Sequence, residues 1–178
     1  LKAIWSEETE SQFKVFDNGH PIGTVNWALA GQHNVENALA AIAAARHVGV
    51  PLAHAMSALS TFRGVKRRME LICRAGVIDI YDDFAHHPTA IQTTLLGLRA
   101  RVGQDKIIAV IELGSYTMRG GEHASRLSEA VGEADQVIWF QPRDVAFDLK
   151  AIVQETRANL VHSAKALLSL LEPQFDEQ

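Results

Sequence analysis

The chain is 178 residues long, 47% hydrophobic and 21% charged, with a formal net charge of −4. These are values of a folded globular protein and exclude a disordered chain; the mild acidity offers no basic surface of the kind a nucleic-acid partner demands. No apolar run reaches the ~18 residues a membrane span needs, and the single Cys73 excludes an internal disulfide, which suits a reducing cytoplasm.

The first residues, 1–5 (Leu-Lys-Ala-Ile-Trp), read as mid-strand and lack a starting Met, and residues 173–178 follow a helix directly. Both termini are expected to be cuts in a longer protein. Residues 13–17 and 22–29 alternate as strands do, and Asn18-Gly19 between them is a hairpin signal. Residues 35–48 form an Ala-rich run of high helix propensity ending at Gly49. Its many small residues predict a helix packed closely against a sheet. Pro51 restarts a shorter helix to about Leu59. The basic connector 62–70 follows, and the domain boundary is placed near 63–66, giving domains 1–63 and 64–178.

Beyond the boundary, strands near 69–74, 77–81, 107–112, 136–140 and 158–161 alternate with helices near 88–101, 121–131, 145–155 and 163–171. This is the pattern of an α/β fold with a mostly parallel sheet. The first two strands are joined only by Ala75-Gly76 and must be antiparallel. Cys73 is expected to pack within its strand, as are Trp5, Trp27 and Trp139.

Chemistry concentrates at the corner of residues 77–89, where a strand delivers Asp82, Asp83, His86 and His87 to a turn before Pro88 opens a helix. Ligand sites of open α/β sheets lie at such strand ends. Carboxylate and imidazole together admit a metal reading, yet adjacent histidines rarely face one ion, and a carboxylate accepting from ribose hydroxyls fits better. In the bland reading, an Asp caps the turn and the histidines are solvated. Asn34 and Asn37, three apart at a helix start, present carboxamides able to read a purine edge; propensity alone favours Asn34 as a helix N-cap instead. Of the basic run, an Arg is suited to clamping phosphate, while Lys66 and Arg67 read as a solvated hinge. Arg119, beside two glycines, suits a carboxylate or phosphate, or is simply a surface residue. His20, His47, His54, His123 and His162 read as incidental. The sequence holds neither a Walker A pattern nor a nucleophile elbow.

Three stretches together resemble the Mur ligases, the ATP-dependent amide-forming enzymes of peptidoglycan synthesis: residues 31–41 (Gly-Gln-His-Asn-Val-Glu-Asn-Ala-Leu-Ala-Ala), 62–70 (Phe-Arg-Gly-Val-Lys-Arg-Arg-Met-Glu) and 82–89 (Asp-Asp-Phe-Ala-His-His-Pro-Thr). The third has the form of the branch acting on UDP-N-acetylmuramate. Members adding L-alanine typically carry Phe-Gln-Pro-His-Arg-Tyr-Thr-Arg after the next strand, and members adding the tripeptide L-Ala-γ-D-Glu-meso-Dap carry Glu-Pro-Arg-Ser-Asn-Thr-Met-Arg. Residues 112–119 (Glu-Leu-Gly-Ser-Tyr-Thr-Met-Arg) are similar to the latter, with Leu113, Gly114 and Tyr116 departing from it.

The resemblance implies that residues 1–63 end a central P-loop ATPase domain and that 64–178 are most of a Rossmann-like C-terminal domain. The implied reaction is ATP-dependent ligation of UDP-N-acetylmuramate to the tripeptide through an acyl-phosphate. The P-loop and the Mg²⁺ ligands are expected upstream, in the missing N-terminal and central domains, so the piece alone is expected to be inactive. By motif position, His33, Asn34 and Asn37 approach adenine, Arg68 contacts the ATP phosphates, Asp83 holds the ribose and Phe84 lies near the base. His86 faces the amine or the acyl-phosphate, and His87, Thr89, Thr117 and Arg119 line the substrate side. The alternatives are an L-alanine ligase, a free-standing Rossmann-like nucleotide- or peptide-binding module and, last, a metal hydrolase built on Asp82, Asp83, His86 and His87.

Overall fold

The computed structural model describes residues 2–5, 12–29, 31–141 and 145–176, with the backbone alone for 2–5 and 176. The chain divides into two units, Leu1–Lys66 and Arg67–Gln178.

In the first unit, β1 (Lys2–Trp5), β2 (Gln12–Asp17) and β3 (His20–Asn26) form an antiparallel sheet in chain order. Asn18 and Gly19 turn the β2–β3 hairpin at φ 48° and 84°. Two successive positive φ values define the turn that matches strand twist, and Asn-Gly tolerates both. α1 (Gln32–His47) and α2 (Leu52–Ser60) follow. Phe13, Val15 and Val25 meet Val35, Ala38, Ile42, Ala55 and Met56 in the core, with Trp27 edge-on to Phe13. As expected, α1 packs against the sheet, though through one face only. Its buried residues are Val35, Ala38 and Ile42 alone, and Ala40, Ala41, Ala43 and Ala44 are exposed in this unit. The Trp5 side chain lies outside those described.

The second unit begins with β4 (Glu70–Ala75) and β5 (Ile78–Asp82), an antiparallel hairpin that forms its own two-stranded sheet. Cys73 is exposed, against the packed position expected for it, because no described residue covers either face of β4, where Leu71, Ile72 and Arg74 are exposed too. α3 (Pro88–Val102) leads to β6 (Ile108–Glu112). Strands β6, β7 (Gln136–Phe140) and β8 (Asn159–Val161) are parallel neighbours in that order. Between and after them come α4 (Tyr116–Gly120), α5 (Ala124–Ala130), α6 (Lys150–Thr156) and α7 (Ala164–Asp176). Trp139, Leu113, Met118, Leu127 and Leu149 are fully buried in one core with Ile91, Leu95 and Ile111.

Two helix boundaries differ from expectation. The helix expected over 121–131 starts only at Ala124, as α5, because Gly121 takes the left-handed conformation at φ 81° and closes α4, a short helix where a loop was expected. The helix expected from 145 starts at Lys150, whose N–H is held by Asp148 Oδ1 at 2.9 Å. Asp148 competes for the backbone as a turn residue and delays the helix.

Candidate functional site

The corner between β5 and α3 is knitted to the residues preceding β4. The Phe84 N–H donates to the Arg67 carbonyl at 2.8 Å, and the Met69 N–H donates to Asp83 Oδ2 at 2.9 Å. Arg67 closes the loop with its side chain: Nε donates to Asp82 Oδ2 at 3.0 Å, and the guanidinium lies 5.0 Å from the centre of the Phe84 ring. Its own N–H donates to Glu70 Oε2 at 2.8 Å. Arg67 and Met69 both have positive φ, 57° and 48°, an uncommon conformation for non-glycine residues that the surrounding bonds must maintain. Arg67 is therefore a tie between two loops and not the solvated hinge residue expected. Arg68 sits between these two pinned residues and is exposed.

Asp83 is half-buried. Its Oδ1 accepts from the Ala85 N–H at 2.7 Å and the Thr94 hydroxyl at 3.4 Å, and its Oδ2 from Met69. A carboxylate has roughly four acceptor sites, so one on Oδ2 remains for an outside donor. Beside it, Phe84 is 49% exposed, with the His86 ring 5.2 Å away.

The two histidines hold opposite tautomers. His86 Nδ1 lies 3.0 Å from the Phe84 carbonyl, which can only accept. That nitrogen carries the proton, and Nε2 of the exposed ring is an open acceptor. His87 Nδ1 instead accepts from the Thr89 N–H at 3.2 Å and caps α3, so its proton is on Nε2. Pro88 at the first helical position needs no donor. Burial, then the nearby His123, Arg126 and His86, push the His87 pKa below its ordinary value. The His123 ring meets it edge-on at 4.3 Å, and Arg126 Nη2 donates to Thr89 Oγ1 at 3.2 Å.

The loop after β6 completes the corner. Ser115 caps α4, accepting from the Met118 N–H at 3.3 Å, and its hydroxyl donates to the His86 carbonyl at 3.1 Å. Thr117 Oγ1 lies 3.4 Å from the Ser115 hydroxyl. Arg119 Nε donates to the Leu113 carbonyl at 3.0 Å, and a hollow of about 430 Å³ is lined by Gly114, Tyr116, Arg119, Gly120 and Ala146.

Arg68, Asp83, Phe84, His86, His87 and Thr89 thus share one corner, with Thr117 and Arg119 joined to it through Ser115. His33, Asn34 and Asn37 lie on α1 of the first unit. There Gly31, at φ 91°, is the N-cap, which corrects the reading of Asn34 as the cap. Asn34 is the third residue of the helix and half-buried, and Asn37 is exposed. Asp82 and Asp83 turn to different partners, and no group of three or more His, Cys, Asp or Glu side chains able to hold a metal ion occurs among the described residues. Sequence reasoning missed Arg67, Ser115, His123 and Arg126. Nothing local marks these contacts, because each joins residues 15 to 37 positions apart in sequence.

The family described as Mur ligase, glutamate ligase domain, matches residues 67–176. Over 145 residues the chain is 45% identical to the UDP-N-acetylmuramate--L-alanyl-gamma-D-glutamyl-meso-2,6-diaminoheptandioate ligase of Escherichia coli (strain K12), covering 81% of this chain and 32% of that protein. It is 36% identical over 132 residues to the UDP-N-acetylmuramate--L-alanine ligase of Acaryochloris marina, covering 70% and 27%. Among solved structures it is similar to a murein peptide ligase from Psychrobacter arcticus, with a TM-score of 0.68 and 37% identity over 95% of this chain and 37% of that one. The chain spans about a third of the length of the curated relatives it matches.

Proposed function

This chain belongs to the Mur ligase family, and from that premise we propose that it is part of a cytoplasmic, ATP-dependent ligase that joins UDP-N-acetylmuramate to the tripeptide L-Ala-γ-D-Glu-meso-Dap in peptidoglycan recycling. Residues 1–63 end the ATP-binding domain that precedes it, and 64–178 are the domain that closes on the nucleotide. Greater identity to the tripeptide-type relative than to the L-alanine type supports that choice, as do Thr117, Met118 and Arg119.

One observation carries the nucleotide reading: the bonds from Arg67 and Met69 to the β5–α3 corner hold Arg68 next to Asp83 and Phe84. An exposed cation, a carboxylate with one free acceptor site and an exposed ring fit the phosphates, ribose and base of a nucleotide in turn. ATP supplies the phosphoryl group that activates the muramate carboxylate, and Mg²⁺ is held by residues upstream.

On the other side of the corner, the tripeptide's α-amine attacks the acyl carbon. A C–N bond forms, the C–O bond to phosphate breaks, and inorganic phosphate leaves. His86 Nε2 accepts the proton lost by the amine, a role suited to an imidazole whose other nitrogen is committed to a carbonyl. Arg68 stabilises charge on the transferring and leaving phosphate. Closure keeps water from the acyl-phosphate.

The test is the complete ligase carrying Arg68→Ala, assayed with tripeptide and with L-alanine. Turnover is expected to fall steeply with the melting temperature unchanged, because Arg68 is exposed. Unchanged turnover removes Arg68 from the mechanism, and activity with L-alanine alone replaces the tripeptide assignment.

A further inference from the structure

Four basic side chains surround the start of α3. His86 and His87 precede it, His123 stands just before α5, and Arg126 is in the first turn of α5. Two contacts gather them: the His87 and His123 rings lie 4.3 Å apart, and Arg126 donates to Thr89 at 3.2 Å. Elsewhere in the chain, Arg46, Arg67, Arg74, Arg99 and Lys150 each have a carboxylate partner. Among the described residues, no carboxylate pairs with any of these four. Arg126 is thus a permanent cation with no acid beside it, and the imidazoles around it offer further N–H donors, a combination suited to a bound anion. The charged neighbours acting on His87 agree: His123, Arg126 and His86 all lower its pKa, and no acid offsets them.

Resting on the tripeptide-ligase reading, we infer that Arg126 and His123 bind a carboxylate of the peptide substrate and so select the tripeptide over L-alanine. Arg126 gives one Nη2 hydrogen to Thr89, and the other Nη2 hydrogen remains to act with Nη1 or Nε in a planar, two-point contact with a carboxylate. The substrate chemistry is complementary. The γ-linkage leaves the α-carboxylate of the D-glutamyl residue free, and the diaminopimelate adds two more. L-Alanine has only the carboxylate beside its reacting amine. A basic patch extending from His86, where the amine is received, to α5 therefore has anionic partners on the tripeptide that L-alanine lacks. Neither Arg126 nor His123 takes part in the chemical step.

The complete ligase decides the matter, with ATP, UDP-N-acetylmuramate and tripeptide each varied in turn for wild type, Arg126→Gln, Arg126→Lys and His123→Gln. In Arg126→Gln the KM for tripeptide should rise about ten- to hundredfold, the worth of one charge-assisted contact, with the KM for ATP and for the UDP-sugar unchanged. Arg126→Lys should recover part of the loss. Amidating the tripeptide carboxylates one at a time identifies the group bound, because for that amide Arg126→Gln adds no further penalty. Should Arg126→Gln fail to fold, His123→Gln has the same expectation in smaller measure. An unchanged tripeptide KM in the folded variants, or an equal rise for all three substrates, overturns the inference. A wild-type enzyme that ligates L-alanine and not tripeptide defeats the underlying reading instead, before any variant is made.

Discussion

Asp83→Asn separates what the carboxylate does for the fold from what it does for a ligand. In the wild type, its two oxygens accept from two backbone N–H groups, Ala85 at 2.7 Å and Met69 at 2.9 Å, and from the Thr94 hydroxyl at 3.4 Å. An amide keeps one oxygen and turns an NH₂ group toward the other N–H, whichever way it is flipped. One charge-assisted bond, worth about 1.5–3 kcal/mol, becomes a donor facing a donor, and the half-buried N–H it leaves unpaired costs about 1–3 kcal/mol if water does not reach it. With partial hydration the net loss is about 2–4 kcal/mol. At roughly 4 °C per kcal/mol for a domain of this size, the melting temperature falls by about 8–16 °C. Differential scanning calorimetry of the protein measures this. Thr94→Val is the control: it removes only the longest of the three bonds and should cost less than about 1 kcal/mol. A variant Asp83→Asn that melts with the wild type would refute the view that Asp83 ties the corner to Met69. The ligand role is then read in the complete ligase, below the variant's melting temperature, as a raised KM for ATP.

Other outcomes follow from the same geometry. His87 has a lowered folded pKa, so its protonation is resisted in the folded state. Stability should fall as pH drops from about 6.5, its ordinary value, through the lowered value, and be insensitive to this group above it. His87→Asn, whose side-chain oxygen can still cap α3, should flatten that part of a pH series of urea midpoints. Asp135 is held below its ordinary 3.8 first by the Ile107 N–H and then by Arg99. Its stabilisation is present above that pH and lost as pH falls through the folded value, so Asp135→Asn should be the less stable protein at neutral pH, with the gap closing in acid. Gly121→Ala forces a side chain into φ 81° with its Cβ 2.9 Å from Phe147 Cδ1; a loss of about 1–3 kcal/mol is expected by chemical denaturation, and an unchanged midpoint would mean the α4–α5 turn relaxes.

What the sequence determined by itself is what neighbouring residues decide among themselves. The hairpin at Asn18-Gly19, the start of α3 at Pro88, the antiparallel β4–β5 pair and the parallel strands after it all follow from turn chemistry, fixed φ or connection length. So does the concentration of ionisable groups at residues 82–87. Tertiary structure alone decided how those groups are used. That Arg67 is a tie and not a hinge depends on Asp82 and Phe84, fifteen and seventeen residues on. His123 and Arg126 acquire meaning only because α5 packs beside α3, and Cys73 lies exposed because no described residue covers either face of β4. These outcomes rest on contacts distant in sequence and on backbone angles, such as those of Arg67 and Met69, that no residue preference announces.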